Sequence, residues 1–356
     1  MKPFSPIFFL LIFMNSCAFN SESNKEEARK KEIISDVGVS NNGPKTTGEI
    51  HRLDEKINQI IPPKAKIEVL AEGFVWAEGP VWVSDGDYLI FSDVPQNKIF
   101  KWDESTGLSV YLENSGYSGN DDYSNEPGSN GLMINKEGQL ILCQHGNRQL
   151  ALMKADLSDP APEYKTLADN YMGKKLTTPN DMDINKDGSI YFTDPPYGLP
   201  GRADSKIREL DFFGVYRVSP NGELILLLDQ LSRPNGIAFN HDFSKCYINI
   251  SDRQNPVTMS YDVHPQSGML ENDKVLFDAS HLLPDLKGLP DGLKVHPENG
   301  IIFSTGPGGV LILTPEGEHL GTIKTGYATA NCCFDDKLQY LYMTADNYLM
   351  RVKIID

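Results

Sequence analysis

The sequence predicts an all-β protein, a six-bladed β-propeller with four antiparallel strands per blade. Three observations predict it. First, a short phrase that sets Asn, Asp or Glu beside a small residue at a strand start occurs six times. Its key residues are Glu78, Asn130, Asn180, Asn235, Asp291 and Asn331, spaced 52, 50, 55, 56 and 40 residues apart. A period of this size marks a repeat architecture with one supersecondary unit per repeat. Second, short apolar runs such as Tyr88–Phe91, Gln139–Leu142, Ser189–Thr193, Lys245–Asn249 and Gly300–Ser304 follow the phrases. They read as buried or alternating strands. Third, turn dipeptides precede most of them: Asp85-Gly86, Glu137-Gly138, Asp187-Gly188 and Asn299-Gly300. These suit tight hairpins. No segment carries the pattern of a long amphipathic helix.

Taken in order along the chain, the first element is not fold. Lys2 precedes the apolar run Ile7–Met14, too short to span a membrane and matched to a signal-peptide core. Asn15-Ser16-Cys17 follows at once and resembles the lipidation site of bacterial lipoproteins, with Met14 where Leu is usual. Residues 1–17 are therefore expected to be a lipoprotein-type signal, with a lipid at Cys17 as the one membrane attachment. That places the protein, exported, at a membrane facing the periplasm or cell surface. A plain cleaved signal and a soluble secreted protein are the alternative. Residues 18–64, rich in Ser, Asn, Lys and Glu, read as a flexible polar tether. Residues 65–356 form the propeller. Only 25 residues follow Asn331, too few for four strands. The ring is thus expected to close by pairing Lys66–Ala71 with Tyr348–Ile354, which hides an exposed edge.

Composition narrows the partners. Among 356 residues the net charge is −16. This disfavours a nucleic-acid surface, which needs a basic patch, and a hard cation is the more natural partner. Cys143, Cys246, Cys332 and Cys333 fit no zinc spacing. They read as buried small apolar residues, although an oxidising compartment would permit a bridge.

In a propeller the first strand of each blade lines the central channel. The six key residues share one phase, so they are expected to ring the axis. Carboxylates and amide oxygens converging in this way suit a hard cation, Ca²⁺ best, with Mg²⁺, Mn²⁺ or Zn²⁺ possible. A single Asn-Gly or Asp-Gly would be mere turn chemistry; six in phase argue for a site.

The chain resembles the gluconolactonase, regucalcin and senescence-marker-protein group of six-bladed propellers, and in particular its bacterial gluconolactonase branch. The resemblance runs from about Glu72 to Ile354. It rests on Ala77-Glu78-Gly79-Pro80-Val81-Trp82, Cys143–Arg148, Pro179-Asn180-Asp181 with Phe192–Gly198, Arg233–Ile237, Gly288–Val295 and Thr305–Val310. It implies that Glu78, Asn235 and Asp291 hold one divalent cation, and that Asn180 contacts substrate or metal-bound water. Animal members place an Arg two residues before that Asn to grip sugar hydroxyls. Here the position is Thr178. Other contacts are then expected to grip the sugar: Asn130, His145 and Tyr197 are the candidates. Arg148 reads as an inter-blade salt-bridge partner and Asp194 as a turn cap.

The implied function is metal-assisted hydrolysis of a sugar lactone resembling gluconolactone. A cation on the carbonyl oxygen stabilises the oxyanion, and a carboxylate takes the proton of the attacking water. Asp291 is the first choice for that base and Asp181 the second. The alternatives are an esterase or phosphotriesterase on the same site, or a surface-tethered propeller that binds without turnover. No nucleophile elbow, phosphate loop or dinucleotide fingerprint is present.

Overall fold

The recurring phrases open, or immediately precede, the first strands of six sheets in the computed structural model, which describes residues 44–355. Blade 1 is Ala77–Val83, Tyr88–Asp93, Lys98–Asp103 and Gly107–Glu113. Blade 2 is Ser129–Ile134, Leu140–Gln144, Gln149–Met153 and Tyr164–Ala168. Blade 3 is Met182–Ile184, Ile190–Asp194, Gly214–Val218 and Leu224–Leu228. Blade 4 is Pro234–Phe239, Lys245–Ile250, Val257–Val263 and Leu270–Asp278. Blade 5 has Leu293–Val295, Ile302–Gly306, Gly309–Leu313 and His319–Lys324. Blade 6 has Thr329–Phe334, Tyr340–Ala345 and Tyr348–Lys353, and its fourth strand is the N-terminal Ile67–Glu72. Tyr348 pairs with Glu72 and Val352 with Ile67 in antiparallel register. The ring closes as the shortage of C-terminal residues implies.

Every sheet pair is mortared by its own apolar cluster. Ile99 and Leu142 meet between blades 1 and 2, Phe192 and Leu150 between 2 and 3, Ile237 and Val215 between 3 and 4. Leu293 and Tyr247 join blades 4 and 5, Ile312 and Met350 join 5 and 6, and Phe91 and Tyr342 join 6 and 1. Burying strands on both faces explains why their sequences read as apolar runs rather than clean alternation. The cysteines follow the same logic: all four are buried and free.

The phrase's small residue has a packing cause. The first strands touch their neighbours in a ring, and the residue after each key residue lies where the next strand passes. A Cβ on Gly79, whose φ is +45°, would sit 2.0 Å from the Asn130 carbonyl oxygen, and one on Gly236 would sit 2.3 Å from that of Asp291. Such contacts tolerate no side chain. Backbone bonds stitch the same junctions, Gly131 N donating to Asn180 O at 2.7 Å and Gly236 N to Asp291 O at 3.1 Å. The hairpin glycines behave as read for Gly138, Gly188 and Gly300, all at positive φ. In blade 1 the left-handed residue is instead Asp87, after a 3-10 turn over Ser84–Gly86.

One expectation needs correction. The tether does not extend to residue 64. Thr46–Thr47 pairs with the edge strand Ile67–Glu72, and Glu49–Arg52 pairs with the edge strand His319–Lys324. The segment thus covers the outer edges of blades 6 and 5. A 3-10 turn at Glu55–Gln59 then carries Ile57 into the cluster of Ile67, Leu320 and Ile323, with Ile60 and Ile61 beside it. Arg52 donates to Asn58 Oδ1 and to the carbonyls of Ile61 and Pro62. A mean composition over 18–64 hid these three isoleucines, Ile57, Ile60 and Ile61, among polar residues. The signal and Cys17 lie outside the described residues.

Candidate active site

Two long connections rise on the side of the ring where the phrases begin. One, residues 114–128, joins blade 1 to blade 2. The other, residues 195–213, joins the second and third strands of blade 3. Beneath them a cavity of about 260 Å³ opens onto the axis, walled by Glu78, Asn130, Asn180, Asn235 and Asp291. Five of the six key residues therefore converge on one space. Trp76, Glu126, Tyr197, Arg202 and Ser251 complete the wall.

Three of the key residues are held through their carbonyls by a side chain of the neighbouring blade. Ser92 Oγ donates to Asn130 O at 2.9 Å, Thr193 Oγ1 to Asn235 O at 2.7 Å, and Asn249 Nδ2 to Asp291 O at 2.7 Å. Asn249 is itself fixed by Thr258 Oγ1 at 2.7 Å. These buried polar groups all lie on second strands, inside otherwise apolar runs. That anomaly was the readable signal for them, and sequence reasoning missed it. Asp93 and Asp194 do a related job. Asp93 accepts from the amides of Val75 and Trp76, and Asp194 from that of Thr177 at 2.7 Å. Each thereby anchors the segment leading into its blade's first strand. Burial pushes Asp194 up to about 7.

The electrostatics centre on two carboxylates without a basic partner. Glu78 is 3% exposed, and its Oε2 accepts from Gly79 N at 3.2 Å. Burial, then the nearby charge of Asp181, raises it to about 8. Asp291 is raised well above the carboxylate range by burial and by repulsion from Glu78. Two buried acids that push each other's pKa upward are destabilising as anions unless a cation joins them. Asn130 Oδ1 is buried without a hydrogen-bond partner, another oxygen left for a ligand or water to satisfy. Two carboxylates plus amide oxygens are a donor set matched to a hard divalent cation. Among the described residues no group of three His, Cys, Asp or Glu is placed to hold a metal; the match rests on the mixed carboxylate and amide set.

Two candidate residues do not reach the cavity wall. Asp181 is 3% exposed, and both its oxygens are engaged: Oδ1 accepts from Met182 N at 2.9 Å and Oδ2 from Asn331 Nδ2 at 3.2 Å. Burial raises its pKa, with the nearby Lys294 opposing the shift. It is a poor choice for a base acting on substrate. Asn331 is correspondingly turned to Asp181 and away from the cavity. His145 is fully buried, and a Cβ on Gly198 would lie 2.3 Å from its own Cβ. Burial lowers its pKa to about 4, so its ring is neutral near pH 7. It supports the loop behind Tyr197 and grips nothing in the cavity. Thr178 is also fully buried, its Oγ1 donating to Pro195 O at 2.5 Å. Arg148 ties blade 2 to blade 3, but mainly through the carbonyls of Leu176 at 2.8 Å and Ile207 at 3.0 Å; Glu209 stands at 3.8 Å.

The residues 76–347 match the family model described as the SMP-30/Gluconolactonase/LRE-like region. The chain belongs to this family. Within it, the chain is similar to a gluconolactonase of Zymomonas mobilis, 38% identical over 86% of each chain. A solved structure of a putative gluconolactonase aligns over 86% of this chain and 98% of that one, at 32% identity and a TM-score of 0.74. A gluconolactonase structure from Xanthomonas campestris aligns over 89% and 99%, at 27% identity and a TM-score of 0.75. The family resemblance read from the motifs is therefore correct, and so is the propeller fold.

Proposed function

We propose that this protein, a lactone hydrolase by its family and its relatives, opens sugar lactones of the gluconolactone type with the help of one divalent cation. The observation that carries the reading is the pairing of Glu78 and Asp291, buried and mutually repelling, on the wall of the axial cavity. Glu78, Asn235 and Asp291 would hold the cation, Ca²⁺ in first place. When bound it supplies Lewis-acid polarisation of the lactone carbonyl. Asn180 and Asn130 present amides to the substrate's oxygens, and Trp76 and Tyr197 close the sides of the cavity. Tyr197 donates to Ser251 O at 3.3 Å, which sets its ring. Asp291 is the base for the attacking water, since one carboxylate can face both the cation and the water.

The test is proton release from five- and six-membered sugar lactones, with and without EDTA. Turnover is expected with cation and only the background rate after chelation. No rate above background while cation binding is intact would refute the lactonase reading and leave a binding propeller.

We further propose that Cys17 carries a lipid anchor, on the motif described above. Among the described residues no helix is long and apolar enough to cross a membrane. Cys17→Ser should move the protein from the membrane fraction to the soluble one. A soluble, unmodified wild type would overturn the proposal.

A further inference from the structure

The axial cavity does not end at its mouth. A second concavity, of about 490 Å³, lies between the two long connections. Asp122, Ser124 and Asn125 wall it on one side, and Tyr197, Pro200 and Arg202 on the other. Tyr197 and Arg202 line both spaces, so the two adjoin at these side chains. We propose that this outer groove is a second sugar subsite, and that the preferred substrates are aldonolactones carrying a glycosyl substituent. The proposal rests on the lactonase reading for the inner cavity.

Size is the first argument. Ligand pockets commonly measure roughly 300–1,000 Å³. The inner cavity alone, at about 260 Å³, falls below that range and suits a single small ring. The outer groove adds nearly twice as much space and leads directly away from it.

The chemistry of the walls is the second. A carboxylate, hydroxyls, an amide and a guanidinium face the groove, together with the two aromatic rings of Tyr123 and Tyr197. That mixture matches the alternating hydroxyl and C–H surfaces of a pyranose. Leu199 and Pro200 are the aliphatic part of the wall, too little to cover an acyl chain.

The third argument is how Arg202 is held at the boundary. Its Nη2 donates to Glu126 Oε1 at 2.9 Å, which links the two long connections over the mouth. Its guanidinium lies 6.0 Å from the Tyr197 ring centre. A guanidinium has five N–H donors, and this bond uses one. The Arg202 side chain is 63% exposed and that of Glu126 only 20%, so the acid is the fixed partner. Arg202 also sits at φ +53°, directly after Gly201 at +79°. A left-handed arginine is uncommon, and such backbone conformations cluster where a side chain must be aimed.

In the reaction the water oxygen bonds to the carbonyl carbon and the ring C–O bond of the lactone breaks. The ring oxygen leaves as a hydroxyl carrying the transferred proton. The glycosidic bond is untouched; its sugar lies in the groove and contributes binding that remote contacts can turn into rate.

The experiment compares kcat/KM for glucono-δ-lactone and cellobiono-δ-lactone, each corrected for spontaneous opening. The glycosylated lactone is expected to be favoured by about tenfold. Asn125 is exposed and lies on the groove but not on the inner cavity. Asn125→Trp should erase the preference while leaving glucono-δ-lactone turnover unchanged. Equal kcat/KM in the wild type, or an unchanged ratio in the variant, overturns the subsite. If neither lactone is opened, the lactonase reading itself fails, and calorimetric titration with cellobionate decides the groove separately. Binding that is present in the wild type and lost in Asn125→Trp supports it; no binding, or equal binding, overturns it.

Discussion

Glu78→Gln and Asp291→Asn are each expected to lower kcat/KM on gluconolactone by on the order of a thousandfold, equivalent to about 4 kcal/mol of transition-state stabilisation. Both substitutions keep the shape of the side chain and remove its charge, so the cavity should survive. Cation affinity should fall with the rate, because hard divalent ions depend on charged oxygen ligands. Stability should move the other way. The two carboxylates raise each other's pKa while buried. At alkaline pH, where these carboxylates would ionise, neutralising one relieves repulsion in the chelated protein, and its Tm in EDTA should rise or hold. A variant that lost activity by unfolding would show a lower Tm instead. Elemental analysis of the purified variants decides the ligand assignment: full cation occupancy in either would show that the named carboxylate is not a ligand.

The second large effect is on pH. Glu78 titrates near 8 in the folded chain, against an ordinary value of 4.5, and Asp291 is raised as well. Between those values the folded chain holds protons that the unfolded chain has released. Stability of the chelated protein is therefore fully present at the acid end and declines as pH rises towards about 8. Cation binding displaces the same protons. Its affinity should strengthen about tenfold per pH unit for each proton displaced, and flatten once both carboxylates have ionised. Tm measured from pH 5 to 9 in EDTA and in excess Ca²⁺ should give two curves that diverge as pH rises. Parallel curves would mean that these carboxylates do not meet the ion.

Some of the site was legible because repetition separates signal from turn chemistry. One Asn-Gly pair says little, but six in phase place their side chains on one axis, and five of them line one cavity. Asn331 and Asp181 show the limit of that inference. They share the phrase's chemistry, yet each satisfies the other at 3.2 Å, below the cavity. Phase identifies the ring a residue belongs to, while its rotamer depends on which neighbour offers a partner. His145 failed for a related reason: polarity in a loop near the mouth does not reveal that another loop covers it. Glu126 and Arg202 were invisible for the opposite reason. They stand 76 residues apart in two irregular connections, with no period to relate them.

The amino-acid sequence by itself determined the architecture of this protein: the number of blades, the strand content and the ring closure through the N-terminal strand. Those properties follow from local pattern and from counting, and local pattern is what a sequence states directly. It also determined which side chains lie at the phase that faces the axis. Only the tertiary structure decided that residues 46–52 cover the edges of blades 5 and 6, and that Asp181 is turned away from the cavity. The same holds for Arg202, which is bolted over the mouth by Glu126. The physical reason is common to all three. Each depends on a partner distant in the chain, and the free energy of such a contact exists only once the ring has brought the two surfaces together.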